Sequence, residues 1–139
     1  KLKIRAMLRE VTEIESIGDS CYNLARTINH KYRGNEDFTE KQYSHIHQMF
    51  QLTDDALNQM VSLVEDEGHQ VDVNKSFNLE NEINNYRSQL KNQNVLDVNN
   101  KEYDYQMGVH YMDLIGECEK LGDYIVNVVE ARTDMKEKK

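Results

Sequence analysis

The sequence predicts an all-α protein, an antiparallel bundle of about four long helices. Proline is absent and glycine occurs only 6 times in 139 residues, so few positions would interrupt a helix. Apolar residues recur at alternating steps of three and four over most of the chain, which is the spacing of one helix face. A spaced set of acidic residues near the start returns near the end, on two segments with this periodicity. Four such segments joined by short turns favour a bundle.

The composition and the net charge disfavour several classes of function. The chain has 25 Asp and Glu against 17 Lys and Arg, a net charge of −8, which disfavours nucleic acid and anionic lipid as partners and favours cations or basic proteins. No apolar run approaches the length of a bilayer span and no signal peptide is visible, so we expect no direct membrane insertion by this segment. The two cysteines fall inside helical patterns and are typical of buried thiols in a reducing compartment.

The first helix is predicted from about Leu2 to Tyr32, with Gly34 as its C-terminal stop. Eight small or apolar residues follow the three-and-four spacing without a miss, and we interpret them as a packed seam: Ile4, Met7, Val11, Ile14, Gly18, Cys21, Ala25 and Ile28. Gly18 costs about 1 kcal/mol of helix propensity relative to Ala. We therefore expect it to permit the close approach of a neighbouring helix.

After a polar turn at residues 35–37, the second helix is predicted to begin at Thr39, where Gln42 completes a capping box. It is predicted to end at Gly68. Its seam is formed by Tyr43, Ile46, Phe50, Thr53, Leu57, Met60 and Val64. The third helix is more polar and is predicted from about Asp72 to Asn92. Its apolar residues are Phe77, Ile83, Tyr86 and Leu90.

The last helix is predicted to open at Asn99, where Glu102 completes the cap, and to run to about Arg132. Its seam is formed by Tyr111, Ile115, Cys118, Gly122, Ile125 and Val129. We expect residues 1–132 to form one helical domain. Residues 133–139 end in Lys-Glu-Lys-Lys and are predicted to be a charged tail with no fold of its own.

The first and last helices carry the same motif at an offset of 104 residues (119 − 15 = 104). The matched pairs are Glu13/Glu117, Glu15/Glu119, Gly18/Gly122, Asp19/Asp123 and Asn23/Asn127. In each copy the second Glu, the Asp and the Asn are successive i, i+4 neighbours and form a ridge. Like charges stacked this way cost a few tenths of a kcal/mol per pair unless a cation or donor lies between them. Glu13 and Glu117 face elsewhere, and we expect them to be solvated.

This motif, Glu-x-x-Gly-Asp-x-x-x-Asn repeated about a hundred residues later, resembles PhoU, a family with two three-helix repeats that each carry a Glu/Asp-x-x-x-Asp signature. The usual Arg after the Glu is replaced by Ser16 and Lys120. The stretch from Leu79 to Ala131 is more specifically similar to the PhoU-like cytoplasmic tail of bacterial sodium/phosphate cotransporters. A full PhoU has six helices against the four predicted here, so we expect this segment to belong to a longer protein or to share its seams with a partner chain.

The resemblance implies that the acidic ridges bind metal, because PhoU proteins are associated with metal ions held by these signatures. The implied carboxylate ligands, meeting across the first and last helices, are Glu15, Asp19, Glu119 and Asp123, with Asn23, Asn127 and Glu80 in secondary roles. Oxygen ligands suit Mg²⁺ or Ca²⁺, and iron or manganese where carboxylates bridge. The alternative is that these side chains hydrogen-bond between helices and hold the register of the bundle. Glu80 lies between Phe77 and Ile83 and therefore needs a partner in either case.

No pattern for catalysis is present, and we expect the protein not to be an enzyme. His45 and His47 are two residues apart and point to different faces, and the Glu-x-x-His ligands of a ferritin-like dimetal enzyme are absent. The sequence also lacks a Gly-rich phosphate loop, a nucleophile elbow and triad spacing.

The resemblance implies a cytoplasmic regulatory or accessory domain of a sodium-dependent phosphate transporter. We expect such a domain at the cytoplasmic face of the bacterial inner membrane, joined to the membrane-spanning portion of the same protein, and a homodimer is a further expectation. The alternative is a free-standing PhoU-type regulator of an ABC phosphate transporter and its sensor kinase. In either case a cation between the acidic ridges would favour one packing of the first and last helices.

Overall fold

The computed structural model describes residues 1–32, 37–66 and 72–137, and the side chains of all of these except 30–32 and 136–137. The described residues form four α-helices and no strand, which confirms the all-α prediction. The helices are α1 (Leu2–Tyr32), α2 (Glu40–Glu65), α3 (Val73–Asn99) and α4 (Tyr105–Glu137). None of these described helices is both long and apolar enough to cross a membrane. The predicted stops at Gly34 and Gly68 lie outside the described residues, as do residues 35 and 36.

The start of α2 is fixed by the predicted capping box. The Thr39 hydroxyl accepts a hydrogen bond from the Gln42 backbone N–H at 3.1 Å, and the Gln42 side chain accepts one from the Thr39 N–H at 3.0 Å. Asp72 caps α3 in a simpler way, because its carboxylate accepts a hydrogen bond from the Asn74 N–H at 3.0 Å. Both helix starts were therefore visible in the sequence.

The boundary between α3 and α4 lies later than predicted. Helix α3 continues past Asn92 to Asn99, so the predicted cap at Asn99 with Glu102 is wrong. Asp104 caps α4 instead, since its carboxylate accepts a hydrogen bond from the Met107 N–H at 2.8 Å. Between the helices Lys101 adopts a left-handed conformation with φ of 58°. Glycine usually takes this position, and its absence hides the turn from a reading of the sequence.

Helix α4 also ends later than predicted, at Glu137 rather than near Arg132. Met135 is buried and continues the helical spacing of the buried residues Val128 and Ala131. Residues 135–137 are therefore part of the helix and not of an unfolded tail.

Helices α2, α3 and α4 form a three-helix bundle, and α4 is its centre. The α4 seam predicted from the sequence is confirmed, because all six of its residues are buried: Tyr111, Ile115, Cys118, Gly122, Ile125 and Val129. Three predicted seam residues of α2 are buried too, namely Ile46, Thr53 and Met60, together with Ile83 and Leu90 of α3. Tyr43 at the start of the predicted α2 seam is exposed.

Helix α1 packs antiparallel against α4 and, among the described helices, against no other. Its predicted seam does not pack, since all eight residues from Ile4 to Ile28 are exposed. The buried residues of α1 are instead Ala6, Glu10, Ile17 and Ser20. On a helix these positions lie roughly 110° around the axis from the predicted seam. The predicted close approach at Gly18 is likewise wrong for this chain, because a Cβ there would meet nothing within 4 Å.

Candidate functional site

The four carboxylates predicted to hold a metal do not come together. Glu15 and Asp19 are exposed on α1, while Glu119 and Asp123 of α4 contact side chains of α3. Over residues 1–32, 37–66 and 72–137, no three His, Cys, Asp or Glu side chains are arranged to hold a metal ion. The described side chains are therefore not arranged as the four-carboxylate site that the resemblance implies, and metal binding by these residues stays a prediction. The physical reason is that α1 turns a different face to α4 than the seam predicted.

On the α3 side, Glu119 contacts Arg87, with 3.0 Å between Glu119 Oε2 and Arg87 Nε. The Arg87 Nε is buried, and its N–H is not aligned with the carboxylate oxygen, so the contact is an ion pair without a well-formed hydrogen bond. The Arg87 guanidinium therefore keeps unused hydrogen-bonding capacity.

Glu80 faces Asp123 one turn further along the same face. Burial is the main cause that raises the pKa of Glu80, and the neighbouring Asp123 and Glu130 carboxylates raise it further. The Asn84 amide, which donates to Glu80 Oε1 at 3.2 Å, opposes this rise in pKa. The prediction that Glu80 needs a partner is confirmed.

Glu13 and Glu117, which were predicted to be solvated, lie in the α1–α4 interface instead. Glu117 Oε2 accepts a hydrogen bond from the Ser20 hydroxyl at 2.6 Å. Glu13 accepts one at 3.2 Å from the amide of Asn127, a residue predicted as a metal ligand. The motif positions that face across the helix pair are thus Glu13 of the first copy and Glu117 and Asn127 of the second, and they form hydrogen bonds.

The same interface contains a buried ion pair. Arg132 donates to Glu10 Oε1 at 2.6 Å, and Glu10 is only 7% exposed. Its other oxygen, Oε2, is buried and has no hydrogen-bond partner among the described residues. Nearby, Arg9 pairs with Glu130 at 2.9 Å. The sequence analysis missed these residues, although Glu10, Glu13, Ile17, Ser20 and Leu24 share a spacing of three and four that marks a second face of α1.

A cleft lies between α1 and α3, with α4 as its floor. Its volume is about 520 Å³, and its lining includes Asn23, Arg26, Arg87, Asp113, Gly116 and Lys120. Asn23, to which the resemblance gave a secondary role at the metal, lines this cleft together with Glu119. The cationic lining could not be inferred from the sequence, because each cation comes from a different helix.

More than half of the large apolar residues that are exposed in the described part of the chain lie on α1, and we call its exposed seam the open α1 face. Its large residues are 41% to 67% exposed and are Ile4, Met7, Leu8, Val11, Ile14, Tyr22 and Ile28. Together they expose on the order of 700 Å², more than the largest apolar patch of a typical monomer. A continuous apolar surface of this size marks a site of protein interaction.

The internal repeat relates the open α1 face to the packed seam of α4. Adding 104 to Met7, Val11, Ile14, Gly18, Cys21 and Ala25 gives Tyr111, Ile115, Cys118, Gly122, Ile125 and Val129. In α4 these positions meet α2 and α3: Tyr111 OH lies 3.0 Å from His45 Nδ1, and a Cβ at Gly122 would lie 3.5 Å from Ile83 Cδ1. The open α1 face is therefore the counterpart of a surface that receives two helices.

Comparison with known families gives one match, in which the model of the PhoU domain matches residues 46–131. The matched range contains most of α2, all of α3 and α4 as far as Ala131, and it includes the second copy of the repeated motif. Searches of curated proteins and of solved structures gave no match.

Proposed function

The chain belongs to the PhoU domain family, and from this premise we propose that it regulates phosphate transport by binding other helices and not by catalysis. The PhoU domain points to the regulation of phosphate transport in general. In its finer form the proposal is a cytoplasmic PhoU-like domain of a sodium-dependent phosphate transporter, acting on the membrane-spanning part of that protein.

The observation that carries the proposal is the open α1 face. Fully burying an apolar side chain of this size is worth about 1.5–3 kcal/mol, so an unpartnered row of them favours association. The exposed area, on the order of 700 Å², approaches the roughly 800 Å² that each partner buries in a stable protein interface. The repeat supplies the shape of the partner, because the equivalent face of α4 packs against α2 and α3. We therefore propose that the open α1 face binds a pair of amphipathic helices of the transport machinery, packed as α2 and α3 pack on α4.

The packing of α1 on α4 also lets a partner bound to α1 affect the rest of the domain. Among the described helices α1 packs on α4 and on no other, so a partner on the open α1 face would communicate with the bundle through the α1–α4 interface. That interface is the most extensive between two described helices, and it includes directed contacts such as Glu10–Arg132 and Glu117–Ser20. A shift of α1 would change these contacts together, which is the kind of two-state element that a regulatory domain needs.

The proposal is tested with a Val11→Asp/Ile14→Asp double variant, which places two charges on the open α1 face. The matched control is Thr12→Asp, a charge at an exposed neighbouring position off that face. Phosphate uptake is measured in cells carrying each variant at high and low external phosphate. We expect the double variant to lose the dependence of uptake on external phosphate and the control to keep it.

The isolated chain separates loss of binding from loss of fold. Because Val11 and Ile14 are exposed, the double variant should unfold in urea within about 0.5 kcal/mol of the unmodified chain per substitution. Normal regulation of uptake in the double variant would contradict the proposal.

A further inference from the structure

The cleft between α1 and α3 has the dimensions of a ligand site. In the described part of the chain, helices α1 and α3 each pack on α4 and not on each other, and the space between them is about 520 Å³. Pockets for small molecules typically measure about 300–1,000 Å³. Gly116 lies on the floor, where an added Cβ would meet nothing within 4 Å, so the floor is open to a ligand.

Three cationic side chains from three helices line this cleft, in a chain whose net charge is −8. They are Arg26 of α1, Arg87 of α3 and Lys120 of α4. Lys120 lies 3.5 Å from Glu117 and is well exposed, and Arg87 contacts Glu119 at 3.0 Å through Nε, which forms no hydrogen bond with a described residue. Arg26 forms no ion pair with any described residue and is exposed in the cleft. The guanidinium groups of Arg26 and Arg87 are thus available to an anion.

The carboxylates of the cleft are not equally free to accept a hydrogen bond from a ligand. Glu117 accepts a hydrogen bond from Ser20 and faces Lys120, while Glu119 faces Arg87. Asp113 is exposed and forms no hydrogen bond or ion pair with another described side chain. An ionised carboxylate can only accept hydrogen bonds, so a ligand beside Asp113 must offer a donor.

We propose that this cleft binds a phosphate group, with Arg26 and Arg87 holding its charged oxygens and Asp113 accepting a hydrogen bond from its P–OH. The identity of the anion rests on the proposed function, in which phosphate is the regulated solute. Near neutral pH inorganic phosphate keeps at least one proton, whereas sulfate has none. Asp113 therefore stabilises phosphate and repels sulfate, which is selectivity through an unfavourable contact with the wrong ligand.

A ligand in this position connects two helices that, over their described residues, do not pack on each other. Arg26 belongs to α1 and Arg87 to α3, so a phosphate group held by both fixes the position of α1 over the bundle. The open α1 face would then be presented differently with and without phosphate. Binding at the cleft and binding at that face are coupled to the extent that both prefer one position of α1.

The test is a titration of the 139-residue chain, followed by the NMR shifts of its backbone amides at constant ionic strength. The ligands are sodium phosphate, sodium sulfate and adenosine monophosphate, which distinguishes free phosphate from a phosphate group on a metabolite. We expect saturable shifts at residues 23–27, 87 and 112–120, with phosphate binding about tenfold more tightly than sulfate. Arg26→Gln should weaken phosphate binding several-fold.

Two matched variants make the result specific. Arg5→Gln removes the same charge from the exposed surface of the same helix, outside the cleft, and should leave phosphate binding unchanged. Asp113→Asn should raise the affinity for sulfate and reduce the phosphate/sulfate ratio, because an amide can also donate a hydrogen bond. Circular dichroism should show all three variants to be as helical as the unmodified chain.

Three results would overturn the inference: no saturable shift with phosphate or the nucleotide, equal weakening by Arg26→Gln and Arg5→Gln, or an unchanged phosphate/sulfate ratio in Asp113→Asn. Tighter binding of the nucleotide than of phosphate would contradict the role of Asp113, because a phosphate monoester has largely lost its second proton at neutral pH and offers no P–OH. Absence of binding together with disturbed uptake in Val11→Asp/Ile14→Asp would refute the inference and leave the proposed function standing. Specific phosphate binding together with undisturbed uptake in Val11→Asp/Ile14→Asp would support the site in the cleft and refute the proposed function.

Discussion

Helices α1 and α4 carry the same motif 104 residues apart, yet they occupy opposite environments. Ile115 of α4 is fully buried, whereas its counterpart Val11 of α1 is 63% exposed. At the remaining matched positions of the two seams, the residue of α1 is likewise exposed and that of α4 is buried. The periodic pattern therefore identifies the face of each helix that is suited to burial, but it does not show whether the described chain contains the helices that cover it.

The two helices are also held by different interactions. The α4 seam packs through apolar side chains against α2 and α3, whereas the contacts of α1 with α4 include hydrogen bonds and ion pairs of Glu10, Glu13 and Ser20. Apolar burial is the larger source of stability in proteins. We therefore expect α1 to be the least firmly attached helix of the four.

The largest difference should come from shortening equivalent residues of the two seams. Ile115→Ala creates a cavity in the core and should lower the free energy of unfolding by about 3 kcal/mol. Val11→Ala removes exposed methyl groups and should change it by less than about 0.5 kcal/mol. Urea denaturation of both variants makes the measurement. A cost above about 1 kcal/mol for Val11→Ala would show that α1 packs differently.

The next effect concerns the ion pair that joins α1 to α4. Arg132→Met leaves the buried Glu10 carboxylate without its partner and should destabilise the chain by about 2 kcal/mol, since Arg132 is itself partly exposed. The double variant Glu10→Met/Arg132→Met should recover most of this loss, because two apolar side chains replace the pair. Hydrogen exchange should show the loss in α1 first. Equal stability of the single and double variants would argue against a buried pair at this position.

Glycine substitutions give a smaller effect of opposite sign at two positions. Gly18→Ala should stabilise the isolated chain by about 1 kcal/mol, because its helix propensity improves and the Cβ meets nothing. At Gly108 a Cβ would lie 2.9 Å from Val98 Cγ2, so Gly108→Ala should destabilise the chain by about 1 kcal/mol. Thermal unfolding of the two variants tests this. Destabilisation by Gly18→Ala would mean that another helix already covers the open α1 face.

The smallest effect is a dependence of stability on pH at Glu80. Its pKa is raised in the folded state, so the stability it contributes is present below its unfolded pKa and is lost as the pH rises through the folded value. Glu80→Gln should therefore stabilise the chain at pH 7, by less than about 1 kcal/mol, and have no effect near pH 4.

The control for this pH effect is Asp19→Asn, the exposed counterpart of Asp123 on α1, which should change stability by less than about 0.5 kcal/mol at either pH. Urea midpoints at the two pH values make the comparison. A stabilisation by Glu80→Gln that is the same at both pH values would exclude a raised pKa of Glu80 as its cause.

The sequence predicted those features whose cause is local. The Thr39 capping box and the α4 seam were correct, because capping and helical periodicity depend on residues a few positions apart. The end of α3 was missed because Lys101 takes the left-handed position without being a glycine. The PhoU resemblance was also correct, and the family match extends over the second copy of the motif.

The sequence could not predict which face of α1 meets α4. Its apolar seam and its polar stripe have the same helical spacing, and the more apolar one was assigned to the interface. This choice also led to the predicted convergence of Glu15 and Asp19 with the α4 carboxylates, and to the interpretation of Glu13 and Glu117 as solvated. The cleft was missed since Arg26, Arg87 and Lys120 are far apart in the sequence and carry no common motif.

The two cysteines provide the most direct test of the central claim, that the open α1 face is a docking surface. Cys21 lies on that face and is exposed, whereas Ile125, its counterpart on α4, is buried. Cys118 is buried in the core, and burial raises the pKa of its thiol to about 11. The rate of maleimide labelling is measured at each cysteine, in the purified chain and in cells with the phosphate transport machinery assembled, with mass spectrometry to identify the labelled residue. We predict that Cys21 reacts rapidly in the purified chain and at least about tenfold more slowly in cells, while Cys118 stays slow in both. Equally rapid labelling of Cys21 in the two settings would contradict the claim.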